Sequence, residues 1–406
     1  MREVVITGMG VALPGAGTPD EFWELASRGS SRVAPIDRFD TTGHPTDRAG
    51  VVRDDVLAAL PGRARKRMDR FTALAVVAAE AALADAGLRD AGPPGDIGVY
   101  LGNMYGGWEI TEPSLRRLHT EGGTGVSPYI ASAWFPTAAQ GQITIAHGHK
   151  GFGKTVAADT AGAALAIGYG MRAVREGRAR VMLCGGAEAP VTPYSHVFCA
   201  KDGRLSTGGY LPYDRRASGF CVGEGAVVLA LEDAGAARER GARAYGRVAG
   251  FAAGHARQTE VFGAAGRRVL ARVVGAAMAE AGVGPAEVDY VGLDAQGTVP
   301  ADAGELAVLE RVLGPPGEER GQTTVKPVTG HLLGAAAAVE AAGALLAMRH
   351  GALPPVAAPG GAEEVGVSGD RTGHVVRRPR GHRTRHALIN ARGADGTVAA
   401  CLLSAC

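Results

Sequence analysis

Five cysteines, at 184, 199, 221, 401 and 406, are the strongest potential nucleophiles in this sequence. None pairs as CxxC, so neither a zinc site nor a redox motif is supported, and no metal site is expected. A free Cys behaves as a small hydrophobe, and buried, inert thiols are the expectation for most of them. Two other places have better-positioned polar chemistry. Lys154-Thr155-Val156-Ala157-Ala158 leads into an Ala- and Gly-rich helix beginning near Thr160. Thr323-Thr324-Val325-Lys326 leads into a similar helix beginning near His331. Each run sets a polar residue at a strand-to-helix turn, where free backbone N–H groups and the helix dipole favour anionic species. The pair suggests an internal duplication whose two turns face each other across a pseudo-twofold axis.

The elements that must hold these turns alternate along the chain. Val4-Val5-Ile6 reads as a strand and is followed by a helix near Asp20 to Arg28. A stronger helix runs from about Asp69 to Ala86, with Gly87 as its stop. Ile97–Leu101, Arg180–Cys184 (ending in Gly185-Gly186) and Val227–Leu231 read as buried strands. The alternation predicts an α/β protein with a mixed sheet. Leu332 to Met348, the longest apolar stretch, carries Glu340 and reads as a buried helix rather than a membrane span. Gly351 to about His386 reads as surface loops and short edge strands, with Arg377-Arg378-Pro379-Arg380 on a solvated face.

Composition excludes several classes. With 406 residues, 46% of them hydrophobic, the chain can bury a large core in one big domain or two fused halves. A net charge of +2, with no interleaving of basic and aromatic residues, gives no reason to expect nucleic acid. The first residues enter a strand pattern at once, so no signal peptide is expected, and the expectation is a cytoplasmic protein that does not engage a membrane.

Taken in order, a set of short motifs resembles the β-ketoacyl synthases of the thiolase superfamily. They are Val5-Ile6-Thr7-Gly8-Met9-Gly10, Asp69-Arg70-Phe71, Gly185-Gly186-Ala187-Glu188, Leu211-Pro212-Tyr213-Asp214 with Gly219-Phe220, Gly223-Glu224-Gly225-Ala226, and Lys326-Pro327-Val328-Thr329-Gly330-His331-Leu332-Leu333-Gly334-Ala335. The resemblance implies a five-layered αβαβα thiolase fold with two pseudo-symmetric halves, here residues 1–240 and 241–406, and a dimer. It implies no cofactor.

A working ketosynthase uses one Cys and two His. The Cys thiolate forms at a helix N-terminus and takes the acyl chain from a carrier protein. Counting back from Ile167-Gly168, the matching position here is Thr160, in Ala158-Asp159-Thr160-Ala161-Gly162. That run resembles the Glu-Gln-Ala-Gly-Gly of the chain-length factors, the ketosynthase-like β subunits of bacterial type II polyketide synthases, although those usually carry Gln. The first His becomes Gln296, in Gln296-Gly297-Thr298; its amide donates a hydrogen bond but shuttles no proton. The second is kept as His331, with its Lys at 326. The Phe-Gly-Phe-Gly-Gly of active enzymes becomes Arg392-Gly393-Ala394-Asp395-Gly396, which leaves the N–H of Ala394 as an expected oxyanion donor. Neither Cys199 nor Cys221 begins a helix after a strand, so neither is expected to replace the nucleophile.

The resemblance also marks a pocket. Tyr105 and Trp108, in Gly102–Trp108, match the family's acyl-pocket loop, and Ile130 matches the residue that reaches across the dimer. Trp134 and Phe135 are read either as interface aromatics or as ordinary core packing. The function these features imply is a non-catalytic subunit that pairs with an active ketosynthase, receives chains on an acyl carrier protein and sets polyketide length. The alternative is a malonyl-carrier-protein decarboxylase or acyltransferase using His331, Thr160 or both.

Overall fold

The apolar runs become ten strands of one mixed sheet among the described residues, which are 2–89, 96–257, 260–317, 319–357 and 375–406 of this computed structural model. They are β1 (Val4–Ala12), β2 (Ile97–Asn103), β3 (Gly153–Ala157), β4 (Val181–Glu188), β5 (Gly225–Asp233), β6 (Gly246–His255), β7 (Tyr290–Gly292), β8 (Gly321–Thr323), β9 (His386–Arg392) and β10 (Thr397–Ser404). The order across the sheet is β8-β7-β9-β10-β6-β1-β5-β4-β2-β3. Counted outward from the centre, each half runs first, fifth, fourth, second, third of its own strands. The pairing repeats as well. β3, β2 and β4 are mutually parallel with β5 antiparallel, and β8, β7 and β9 are parallel with β10 antiparallel. The halves join where β1 pairs antiparallel with β6, at Val5 with Arg247 and Ile6 with Gly246.

The longer helices are α1 (Pro19–Ser27), α2 (Arg70–Asp85), α3 (Trp108–Glu121), α4 (Ala138–His147), α5 (Gly162–Arg175), α6 (Pro193–Lys201), α7 (Ala264–Ala281), α8 (Val299–Leu313) and α9 (Ala336–His350). α5 packs on β2 and β4 of one half-sheet and on β6 and β10 of the other; α9 likewise touches β4 and β5 as well as β7 and β9. α2 and α4 cover the outer face of the first half, and α7 covers that of the second with α8 against it. The result is helix, sheet, helix, sheet, helix, the five-layered thiolase arrangement. Both central helices are mostly small apolar residues, with their basic side chains confined to the last turn, since a helix between two sheets has little room for a polar side. Ala336 through Ala347 are all buried.

Glycine sets the closest approaches. A Cβ on Gly10 of β1 would lie 1.9 Å from the carbonyl oxygen of Ala78, so α2 sits directly on the strand backbone. A Cβ on Gly102 would lie 2.2 Å from the backbone of Gly162, which lets the end of β2 reach the start of α5. α2 begins where expected, capped by Asp69, whose carboxylate accepts the N–H of Phe71 at 3.3 Å, and Gly87 follows with φ +66°.

Four expectations need adjusting. The helices expected near Thr160 and His331 begin at Gly162 and Ala336, each after a tight 3₁₀ turn, Asp159–Ala161 and Leu333–Ala335. The strand expected to end at Cys184 continues through both glycines to Glu188, because β2 and β5 flank it on both sides. Arg377 is not on a solvated face; it turns inward and donates from Nη2 to the carbonyl of Tyr213 at 3.0 Å. Between 351 and 386, Ala352–Leu353 pairs with Arg380–Gly381, and residues 358–374 lie outside the described residues. Among the described residues no helix is long and apolar enough to cross a membrane.

Candidate functional site

The two strand-to-helix turns meet at the centre of the molecule. Asp159–Ala161, between β3 and α5, packs on Leu333–Ala335, which precedes α9. Gly162 makes room, since a Cβ there would stand 3.2 Å from the carbonyl oxygen of Gly334. Thr160 is therefore buried at the entrance to α5, and its Oγ1 has no hydrogen-bond partner among the described residues. No base is positioned to take its proton, so the hydroxyl is not an activated nucleophile.

His331 is wholly buried, with its ring stacked on Phe220 at 4.4 Å and 25°. Its Nδ1 accepts the N–H of Leu333 at 3.1 Å, which assigns the proton to Nε2, and Nε2 has no partner among the described residues. Burial, with Lys326 and Arg204 nearby, pushes its pKa well below the usual histidine range, so the ring is neutral. Lys326 is fixed beside it: Nζ donates to the carbonyl of Leu293 at 2.7 Å and lies 3.5 Å from Glu340 Oε1. Glu340 also accepts from Thr324 Oγ1 and, at 3.0 Å, from the N–H of Val325.

Gln296 follows β7, after Ala295 at φ +53°. Its amide donates to Asp294 Oδ2 at 3.1 Å and to the carbonyl of Arg392 at 3.2 Å, so it is locked rather than available. Tyr210 links it to the second turn: the hydroxyl donates to the carbonyl of Ala295 at 2.6 Å, and the ring lies 6.2 Å from that of His331. Arg392 is wholly buried and pairs with Asp294 at 2.8 Å and Glu305 at 3.0 Å.

Ala394 was expected to keep a free N–H. It does not; that N–H donates to Asp159 Oδ2. Asp159 is buried at φ +34°, and its other oxygen accepts from Arg204 Nη1 at 3.0 Å. Burial pushes its carboxyl up, opposed by the Arg204 guanidinium and the Ala394 N–H. Arg204 in turn lies 5.1 Å over the ring of Phe220, which closes a circuit from Asp159, next to Thr160, through Arg204, Phe220, His331, Tyr210 and the Ala295-Gln296 turn to Arg392 and back to Ala394. Thr160, Gln296, His331, Lys326 and Ala394 thus come together.

Of the pocket residues, Tyr105 packs on the cluster that holds Cys199, Phe220, Tyr210 and Leu333, and so adjoins this centre. The hydroxyl of Tyr105 is 3.2 Å from Cys199 Sγ, and its ring stacks near Phe198 at 6.4 Å. Trp108 stacks on Tyr194 at 4.9 Å. Ile130, half-buried, opens the helical turn Ile130–Ala133 outside this aromatic group. The segment after it is not core: Trp134 is 44% and Phe135 49% exposed.

Asp159, Arg204 and Arg392 were not singled out from the sequence, and Glu340 was noted only as a charge within a buried helix. Arg392 had a signal, a charged residue closing a mostly apolar strand. The first two had none, since their pairing exists only in the fold.

Two family descriptions match: "Beta-ketoacyl synthase, N-terminal domain" over residues 1–237 and "Beta-ketoacyl synthase, C-terminal domain" over 245–358. The chain is 37% identical over 402 residues to the tetracenomycin polyketide synthase ketoacyl synthase beta subunit of Streptomyces glaucescens, covering 97% of this chain and 96% of that one. It is 31% identical to a 3-oxoacyl-[acyl-carrier-protein] synthase 2 of Synechocystis, over 87% of each. Among solved structures, "The ishigamide ketosynthase/chain length factor" superposes with a TM-score of 0.89 at 27% identity, covering 100% of this chain and 99% of that one. A thiolase fold whose central turns lack both the Cys and the first His, matched along its whole length in this way, places the chain in the β-ketoacyl synthase family, with the ketosynthase β subunits and chain-length factors of polyketide synthases.

Proposed function

We propose that this chain is the non-condensing partner of an active ketosynthase in a type II polyketide synthase, that it meets chains carried on an acyl carrier protein, and that it sets their length. One observation carries the reading. The position that should hold the nucleophile is a buried Thr160 whose hydroxyl touches no base, while Gln296 at the first histidine position is tied to Asp294 and Arg392. With neither thiolate nor proton shuttle, the chain is left to shape the partner's product. Its place of action is the cytoplasm.

Tyr105, Trp108 and Ile130 are the residues proposed to bound the growing chain. Tyr105 and Trp108 are half-buried and stack against Phe198 and Tyr194, so their rings are positioned as steric stops for a chain that reaches them. Purified with its ketosynthase and supplied with malonyl-carrier protein, the wild-type pair should give one product distribution. Tyr105→Ala or Ile130→Ala should lengthen it by one or more two-carbon units by mass spectrometry. An unchanged distribution from both variants, in complexes intact by gel filtration, would reject this account of length control.

A second reading has one observation behind it, the buried His331 Nε2 with no partner. It would donate to a malonyl carbonyl during decarboxylation. Carbon dioxide release from malonyl-carrier protein that vanishes in His331→Ala would favour that reading.

A further inference from the structure

The Ala394 N–H is well placed and already taken. A nucleophile at position 160 that attacks a thioester turns the carbonyl oxygen into an alkoxide. That alkoxide needs backbone donors aimed at it, at about 2.7–3.1 Å. Ala394 supplies such a donor beside the turn, but Asp159 Oδ2 occupies it. The same carboxylate is clamped by Arg204, with Nη1 at 3.0 Å from Oδ1 and Nη2 at 3.0 Å from Oδ2. We propose that the Asp159–Arg204 pair is an internal plug: its carboxylate stands in the place of an acyl oxyanion and keeps this subunit from being loaded with the chain, which leaves the partner as the only acylated site.

Two features hold the plug in place. Asp159 adopts φ +34°, as Leu333 does at +43° at the start of the matching turn, so the turn itself fixes the backbone from which this carboxylate reaches Ala394. Arg204 is buried against Phe220 instead of reaching solvent, where an arginine ordinarily sits. A carboxylate there both consumes the donor and repels a developing negative oxygen. Loss of the cysteine and occlusion of the oxyanion site are therefore two independent blocks, and restoring the first leaves the second.

Both blocks lie at this subunit's own centre and matter if, as proposed above, the chain is the non-condensing partner. The second block can be read whether or not product length responds to Tyr105 or Ile130. The test uses the assembled complex carrying T160C alone, or T160C with D159A and R204A. Removing both charges together leaves no unpaired buried ion. The probe is hexanoyl-N-acetylcysteamine. The sulfur introduced at 160 bonds to the thioester carbonyl carbon, the bond from that carbon to N-acetylcysteamine breaks, and the departing thiolate takes the proton given up by the attacking thiol. This chain then gains one hexanoyl mass, resolved from its partner by intact mass spectrometry. Iodoacetamide, whose reaction passes through no oxyanion, checks that the new thiol is reachable in both variants.

The expected result is acylation at least tenfold faster in the triple variant than in T160C. Equal rates in the two would overturn the proposal. So would a triple variant that is assembled and alkylated by iodoacetamide yet acylated no faster. D159G/R204M/T160C, which relieves the positive φ and keeps the bulk of the arginine stem, carries the same expectation if the alanine version does not assemble.

Discussion

Thr160 and His196 are both buried polar groups without hydrogen-bond partners among the described residues, and their removal should act differently. An unpaired buried hydroxyl carries a desolvation cost of about 1–3 kcal/mol and returns nothing. Thr160→Val keeps the shape and drops the hydroxyl. Urea unfolding should show unchanged stability or a gain of up to about 1 kcal/mol, and a clear loss would mean the hydroxyl has a partner after all. His196, on α6, is wholly buried among Phe39 and His44, and burial chiefly pushes its pKa down to about 4. Its unfolded value is near 6.5, so the folded state binds its proton less readily. The stability it permits is fully present above pH 6.5 and is lost as pH falls toward 4. The loss is on the order of 3 kcal/mol over that window. His196→Phe has no such proton to take up. Its stability relative to wild type should improve by about 2–3 kcal/mol between pH 7 and pH 4.5; a constant difference would show that His196 does not titrate there.

At the scale of elements, glycines divide into those that permit contact and those that merely occupy helix. Gly10→Ala drives a methyl to within 1.9 Å of the Ala78 carbonyl, so β1 and α2 must separate. It should lower stability by about 3 kcal/mol, at the upper end for overpacking. Gly141, inside α4, faces open space, and Gly141→Ala should raise stability by about 0.5–1 kcal/mol through helix propensity. Thermal unfolding of the isolated chain checks both, and similar effects from the two would refute the packing argument. The same elements show why parts of the fold were legible. α2 has a capping Asp, helical spacing and a stop glycine, so its ends were readable within a residue. α5 and α9 open on unbroken runs of small apolar residues with no capping side chain, which hides where turn gives way to helix and displaced their expected starts. The site divides in the same way. Thr160, Gln296, His331 and Lys326 lie in ordered motifs, whereas Asp159 and Arg204 are 45 residues apart and charged. By default such residues are solvated, and nothing in the spacing predicts that they meet in the interior.

Over the whole molecule, the surface that remains unexplained by the fold is apolar. Trp134, Phe135 and, at 72% exposure, Ile145 lie in the segment that precedes β3, the edge strand of the sheet. Exposed apolar side chains in a segment that leads into an edge strand fit a surface that a second subunit covers. Phe135→Asp should leave the circular dichroism of the chain unchanged and abolish its co-elution with the ketosynthase on gel filtration. Co-elution of the variant at the wild-type ratio would place the interface elsewhere. The helix beneath this arrangement has a consequence in time. α9 fills the middle layer against β4 and β5, yet it begins only at residue 336, about a hundred residues after β5 ends. At a synthesis rate of about 5–20 residues per second, the first half of the sheet waits roughly 5–20 s with α5 alone on its inner face. The segment with the exposed Trp134 and Phe135 thus exists as chain well before the middle layer is complete, so the first half-sheet passes through an interval in which its inner cover is one helix instead of two.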